Sequence, residues 1–251
     1  MKGFSNDCII FNDPFRFSAR NIEDIIHTVS EPATLKDTQG RGVLTNQYET
    51  KFSGFQPDEF VGCTIEDISE RAKLLKGSKQ TFIKKIKQIE SEVTFSNRVR
   101  FLKEIYITYD GFIRVENLIK LPISGLNGKC IAIFSYSEDL TYHLNLFDLF
   151  LLYKKFYLPK EAIIQFLKYF DVKDYFQELP TRTEALVIIA MSIDHRHKEC
   201  SKLLNQKLRT VAAHSFSLQQ KLKPGISFTT ILTRIRNAGK NTCSVKDWLT
   251  D

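Results

Sequence analysis

The chain has 251 residues, 43% of them hydrophobic and 26% charged, with a formal net charge of +7. This composition excludes a mostly disordered or collagen-like polymer, and apolar runs such as Ile131 to Phe134 fall far short of the ~18 to 20 residues of a membrane span. The charge is uneven: residues 179–251 hold 12 Lys and Arg against 5 Asp and Glu, whereas residues 1–178 hold 24 of each. A basic module joined to a neutral one is the pattern of a nucleic-acid-binding segment beside a sensing or assembly segment. An ordinary solvated basic surface is the plainer alternative.

Residues 1–17 read as an N-terminal extension. They lack the apolar core of a signal peptide, since Asn6, Asp7 and Asp13 interrupt them. From 18 to 138 the pattern mixes short helices and strands. Asn21 followed by Ile22, Ile25, Ile26 and Val29 predicts a capped helix ended by Pro32. Ala33 to Lys36 and Gly42 to Thr45, flanking Asp37-Thr38-Gln39-Gly40, predict a hairpin. Short helical turns around Gly54, Pro57 and Gly62 follow, then a helix from Lys79 to about Glu90. Strands are expected over 99–109, 112–121 and 129–136, with turns at Asp110-Gly111 and Asn127-Gly128.

Residues 139–178 read as a helical linker divided by Pro159, with Leu144, Phe147, Leu151, Ile163, Phe166, Leu167 and Phe170 at helical spacing. This aromatic stripe suits core packing or a dimer seam better than a cofactor pocket. Residues 179–251 look all-helical. Leu186, Ile189 and Ala190 mark one helix and 198–204 a second; Asn205-Gln206-Lys207 forms a turn. Residues 208–222 make a third helix, with Leu204, Leu208, Val211, Leu218 and Leu222 on one stripe. Pro224-Gly225 stops it, and 228–236 forms a fourth. The five cysteines (Cys8, Cys63, Cys130, Cys200, Cys243) never form a CxxC pair and read as reduced thiols of a cytoplasmic protein.

Two short helices joined by a tight turn within the basic third make a helix-turn-helix. Lys198-Glu199-Cys200-Ser201, Leu204, Thr210-Val211, His214 and Lys221-Leu222 match, without a gap over 198–222, the K-E-I-A, Leu, T-V-x-x-H, K-L pattern. The segment thus resembles the LuxR/FixJ-type helix-turn-helix of bacterial transcription regulators. Leu179-Pro180-Thr181-Arg182-Thr183-Glu184 is similar to that family's opening. The usual Gly-x-Ser-Asn turn is replaced by Asp194-His195-Arg196-His197, and one or two extra residues precede Lys198. Further upstream, Ile25-Ile26, Pro32, Leu35-Lys36-Asp37, Gly40, Asn46, Gly54-Phe55 and Asp58-Glu59-Phe60-Val61-Gly62 resemble a PAS sensor domain. Together the resemblances imply an α+β chain. A PAS-like five-stranded antiparallel sheet with flanking helices would be followed by the helical linker and an all-α helix-turn-helix domain.

The resemblance implies that the helix begun by Thr210 and Val211 enters the major groove while the preceding helix and turn hold phosphates. Lys198, Lys202, Lys207 and Arg209 are the candidate phosphate contacts, with Arg182 and Arg196 beside them. Base-reading positions fall on Ala212, Ala213 and Phe216, none of which makes the bidentate bonds of Arg, Lys, Asn or Gln; Ala and Phe can touch thymine methyls. His214 lies near the inward stripe, with packing as its first role and phosphate contact as its second. Ile231, Leu232 and Ile235 resemble the family's dimer helix, and plain packing explains them equally.

No flavin or haem is expected: Cys63 sits in Val-Gly-Cys-Thr-Ile rather than an N-C-R-F-L-type motif, and His27 is the lone histidine of 18–138. A small apolar ligand, or none, is the expectation. His195, His197 and Cys200 lack a fourth metal ligand. Gly239-Lys240 and Gly125-Leu-Asn-Gly-Lys fail the phosphate-loop spacing, and no G-x-S-x-G or H-E-x-x-H occurs. The expectation is therefore a non-enzymatic, homodimeric regulator that binds double-stranded DNA and no membrane. Its alternative is a sensory module whose degenerate helix-turn-helix binds a protein partner.

Overall fold

Seven strands and ten α-helices are present in a computed structural model that describes residues 9–10, 16–17, 19–71, 76–108 and 110–238. They divide into two compact units, Met1–Leu140 and Thr141–Asp251. Gly239-Lys240, Tyr109, Cys8, Cys243 and most of the 1–17 extension lie outside the described residues.

The first unit carries the expected five-stranded antiparallel sheet with flanking helices. Its strands are β3 (Ala33–Asp37), β4 (Gly42–Thr45), β5 (Arg100–Ile107), β6 (Ile113–Ser124) and β7 (Cys130–Asp139). They run in the order β4-β3-β7-β6-β5. Two additional two-residue strands, β1 (Ile9–Ile10) and β2 (Arg16–Phe17), join the far end of β6 through Ile10 and Ser124. Helices α1 (Ala19–Thr28), α2 (Gln47–Ser53), α3 (Ile65–Arg71) and α4 (Lys76–Ser96) complete the unit. The turn residues explain themselves. Asp37 Oδ1 accepts from the Gln39 and Arg41 amides, closing the β3–β4 turn with Gly40 at φ 77°; Gly111 at φ 90° does the same between β5 and β6.

Asn46 is the polar keystone of this unit. Fully buried, it caps α2 by accepting from Glu49 N and also accepts from Ala33 N. Its Nδ2 reaches the carbonyls of Ile26, Val29 and Glu31 at the end of α1. One side chain thereby satisfies backbone groups of a helix end, a strand and a helix start. The helix expected from Asn21 instead begins at Ala19, so Asn21 lies inside it; α4 overruns its expected bounds at both ends.

Strand register assigns the faces. Ala33, Leu35, Ile123, Ala132 and Phe134 form an apolar face with Ile22 and Ile26 of α1. Thr34, Lys36, Glu116, Leu118, Lys120, Ser135 and Ser137 form the other face, toward Ile65, Ile68, Phe82 and Ile86 of α3 and α4.

The second unit is helical. Helices α5 (Leu146–Phe156) and α6 (Pro159–Tyr169) are separated as Pro159 predicts, with Pro at the first position of α6. Their aromatic stripe is core: Phe150 meets Phe166 edge-on at 5.0 Å between centroids, and Phe166 meets Phe170 likewise. Leu151, placed on that stripe by spacing, is instead 53% exposed; Leu149, Phe150 and Tyr153 carry the buried face. Next come α7 (Arg182–Ile193), α8 (His197–Leu203), α9 (Leu208–Gln220) and α10 (Phe228–Ala238). Helices α5, α6 and α10 all pack on α7. This explains why Val187, Ile188, Ile189 and Ala190 are all fully buried and α7 shows no single apolar stripe. Ile231, Leu232 and Ile235 of α10 are buried within the chain, which is the packing reading of these residues rather than the dimer seam. Among the described residues no helix is long and apolar enough to cross a membrane.

Candidate nucleic-acid interface and interior cavity

Helix α7 starts with a capping box: Thr181 accepts from Glu184 N and Glu184 Oε2 accepts from Thr181 N at 2.7 Å. The same carboxylate then reaches α9, accepting from Ser217 Oγ (2.7 Å) and Lys221 Nζ (2.9 Å). Burial alone would raise the Glu184 pKa, but these donors outweigh it and hold the carboxyl at about 2. Glu184 thus fixes the far end of α9 to the start of α7.

Between α8 and α9, Asn205 adopts φ 49°, a conformation asparagine tolerates and which lets the chain turn tightly. Val211, Ser215 and Leu218 of α9 face inward, all nearly or fully buried. The opposite side presents Arg209, Ala213, Phe216 and Gln220, one line at helical spacing. Phe216 is 64% exposed. Thr210 is exposed, while Ala212 and His214 are half-buried on the flanks. Leu208, expected on the inward stripe, is 51% exposed at the start of α9. Gln219 and Gln220, exposed amides near the end of α9, escaped the motif-based reading because that motif is silent at their positions.

Lys198, Lys202, Lys207 and Arg209 are all exposed. Lys202 pairs with Glu199, and Arg196 is bound by Asp194 through both carboxylate oxygens. Lys198, Lys207 and Arg209 have no ion-pair partner among the described residues. Lys207 begins α9 without a side-chain cap. The first amides of α9 therefore face outward beside two cations, an arrangement suited to a phosphate. Cys200 is buried and donates its S–H to Asp194 O, so it packs against the turn. Among the described residues no cluster of His, Cys, Asp and Glu could hold a metal ion.

The first unit holds a half-open cavity of about 60 Å³ between the sheet and α3 and α4. Ile65, Ile68, Phe82, Ile86 and Leu118 form its apolar side; Lys36, Glu49, Glu116, Lys120, Ser135 and Ser137 form its polar side. Lys36 and Lys120 both donate to one oxygen of Glu90, at 2.9 and 2.8 Å, and Lys120 also donates to Ser135 Oγ at 3.1 Å. All three charged groups are buried. Burial would raise the Glu90 carboxyl, but Lys120 and Lys36 hold it at about 2; burial pulls Lys120 below its usual value against that carboxylate. Arg114 pairs with Glu116 at 2.5 Å and with Glu31 at 3.1 Å. Burial, then the nearby Glu116, pushes the Glu49 carboxyl up to about 8. Periodicity cannot reveal this polar interior, because alternation in a strand does not say which of two covered faces is polar.

Comparison with solved structures finds low-identity likenesses. The Vibrio cholera VqmA–ligand–DNA complex aligns with 86% of this chain and 86% of its own, at 15% identity and TM-score 0.44. The phage VqmA–DPO complex aligns with 92% of each chain at 15% identity and TM-score 0.42. The PAS domain of Bordetella pertussis BvgS aligns with 48% of this chain and 84% of its own at 18% identity and TM-score 0.41. No family model and no curated protein matches the chain.

Proposed function

We propose that the chain is a cytoplasmic, homodimeric transcription regulator. In this reading residues 18–138 sense a small molecule, 139–178 relay, and 179–251 bind double-stranded DNA. The observation that carries it is the unpaired cationic start of α9: Lys207 and Arg209 flank uncapped amides, with Lys198 on the preceding helix. The inward residues Val211, Ser215 and Leu218 hold the helix so that Arg209, Thr210, Ala213 and Phe216 face the groove. Ala212 and His214 flank that line, and Lys202 contributes once Glu199 releases it. With no guanidinium or amide among Ala212, Ala213 and Phe216, base reading would rest on thymine methyls and DNA shape. No cofactor and no catalysis are part of this reading.

One observation favours a second reading. Leu203, Leu208 and Phe216 are each at least half exposed in the same helix-turn-helix, an apolar set that suits a protein partner. Phe216→Lys separates the two. A DNA-binding helix should keep or gain duplex affinity in a mobility-shift assay, because a cation is added facing phosphates. If the variant loses duplex binding while its fold by circular dichroism is unchanged, the cationic reading of α9 is wrong.

A further inference from the structure

At the interior cavity two ammonium groups, Lys36 on β3 and Lys120 on β6, share a single carboxylate oxygen of Glu90 on α4. Arg114 and Glu116 on β6 form an ion pair, and Arg114 also pairs with Glu31 and Asp139. Glu104 on β5 is engaged by Lys85 at the rim. Glu49 on α2 lines the same cavity, yet among the described residues no group donates a hydrogen bond to its side chain. It faces Lys36, Arg114, Lys120, Glu116 and Tyr106, and burial, then Glu116, favours its protonated form. On the polar side two buried ammonium groups thus rely on one carboxylate oxygen, in a site where under-compensated charge is costly. Ammonium protons not used by Glu90 or Ser135 remain on both lysines.

We infer that this cavity binds a small monocarboxylate, its anionic head on Lys36 and Lys120, its hydrocarbon body against Ile65, Ile68, Phe82 and Ile86, and Glu49 beside the head. The carboxylate accepts the ammonium protons that Glu90 and Ser135 leave unused, and the apolar side selects a short, branched or aromatic body over a polar one. Ionisation of Glu49 would place a second negative charge beside the head and expel it. This inference names the ligand class for the sensing role proposed above and rests on that role only for its consequence, since binding is measured without DNA.

The test is isothermal titration calorimetry and thermal unfolding of the full chain with acetate, propionate, isobutyrate and benzoate, against isobutyramide and isobutylamine. At least one carboxylate should bind and raise Tm, while the neutral amide and the amine should not. Affinity should fall by up to about tenfold per pH unit above pH ~8, and Glu49→Gln should remove that fall. Lys120→Met leaves Lys36 and Glu90 as a balanced pair, so the protein should stay folded and lose the carboxylate response. Equal binding of isobutyramide, an undiminished response in Lys120→Met, or no response to any carboxylate would overturn the inference. Duplex binding of the same samples, followed separately by fluorescence anisotropy, shows whether the regulator reading stands or falls on its own.

Discussion

Glu49 lines the small cavity, Glu90 holds the two lysines of its polar side, and the two carboxyls are shifted in opposite directions. Glu90, held at about 2 by Lys120 and Lys36 against burial, contributes stability that is complete above the usual carboxylate range. That contribution is lost as pH falls from about 4.5 to about 2, and Glu184 behaves the same way in the second unit. Glu49, raised to about 8, binds its proton more tightly when folded, so it subtracts stability as pH rises from about 4.5 toward 8. Urea unfolding should therefore show Glu49→Gln to be more stable than the parent at pH 9 and indistinguishable from it near pH 4. Glu90→Ala strands two buried ammonium groups and should cost about 3–5 kcal/mol at pH 7. A loss below about 1 kcal/mol would show that those lysines find water instead.

At the scale of elements, close approach decides more than backbone preference. A Cβ at Gly42 would lie 2.3 Å from Phe60 O and 2.6 Å from Phe60 Cε1, on a strand whose amide and carbonyl both bond to the Cys63 and Gly62 backbone. Gly62 has φ 83° but open space around it. Gly62→Ala should cost about 1–2 kcal/mol, the penalty of left-handed backbone. Gly42→Ala should cost more, at the upper end of the roughly 1–3 kcal/mol range for overpacking or beyond it, in chemical denaturation.

The same scale shows what was legible in the sequence. Turn chemistry at Asp37 to Gly40, Asp110-Gly111, Pro159 and Asn205 located the hairpins, the helix break and the helix-turn-helix turn. Periodicity erred at Leu151 and Leu208, which satisfy the spacing but lie at the edge of a stripe or at the first turn of a helix, where neighbours do not cover them. It marked α7 by Leu186, Ile189 and Ala190 but did not show the burial of its other faces, which follows from packing against α5, α6, α9 and α10. The charged interior was hidden for a different reason. Lys36, Glu116 and Lys120 alternate with apolar residues as solvent-facing residues do, yet α3 and α4 cover them, and mutual pairing makes that burial tolerable. In the candidate DNA surface, the cations and the outward Phe216 were what the family resemblance implied, whereas Gln219, Gln220 and the engagement of Lys202 and Arg196 by acids needed three dimensions.

For the whole molecule, the excess charge of +7 resides in residues 179–251, and in the structure Lys207 and Arg209 of that segment lie exposed at the start of α9 and Lys198 lies exposed at the start of α8. A neutral first unit with a small charged cavity and a basic helical second unit are the two halves a ligand-controlled regulator requires. If Lys207 and Arg209 each hold a phosphate, Lys207→Ala and Arg209→Ala should each lower the slope of log K against log salt by about 0.9. Glu199→Gln, which frees Lys202, should leave that slope equal or steeper. The most direct measurement is fluorescence anisotropy of the full chain on a pool of random-sequence duplexes across a salt series, with selection of the bound sequences. The account predicts binding at low salt that weakens steeply with added salt, with A·T-rich or shape-selected palindromic sites enriched. Absence of binding at low salt, or binding unaffected by salt, would contradict it.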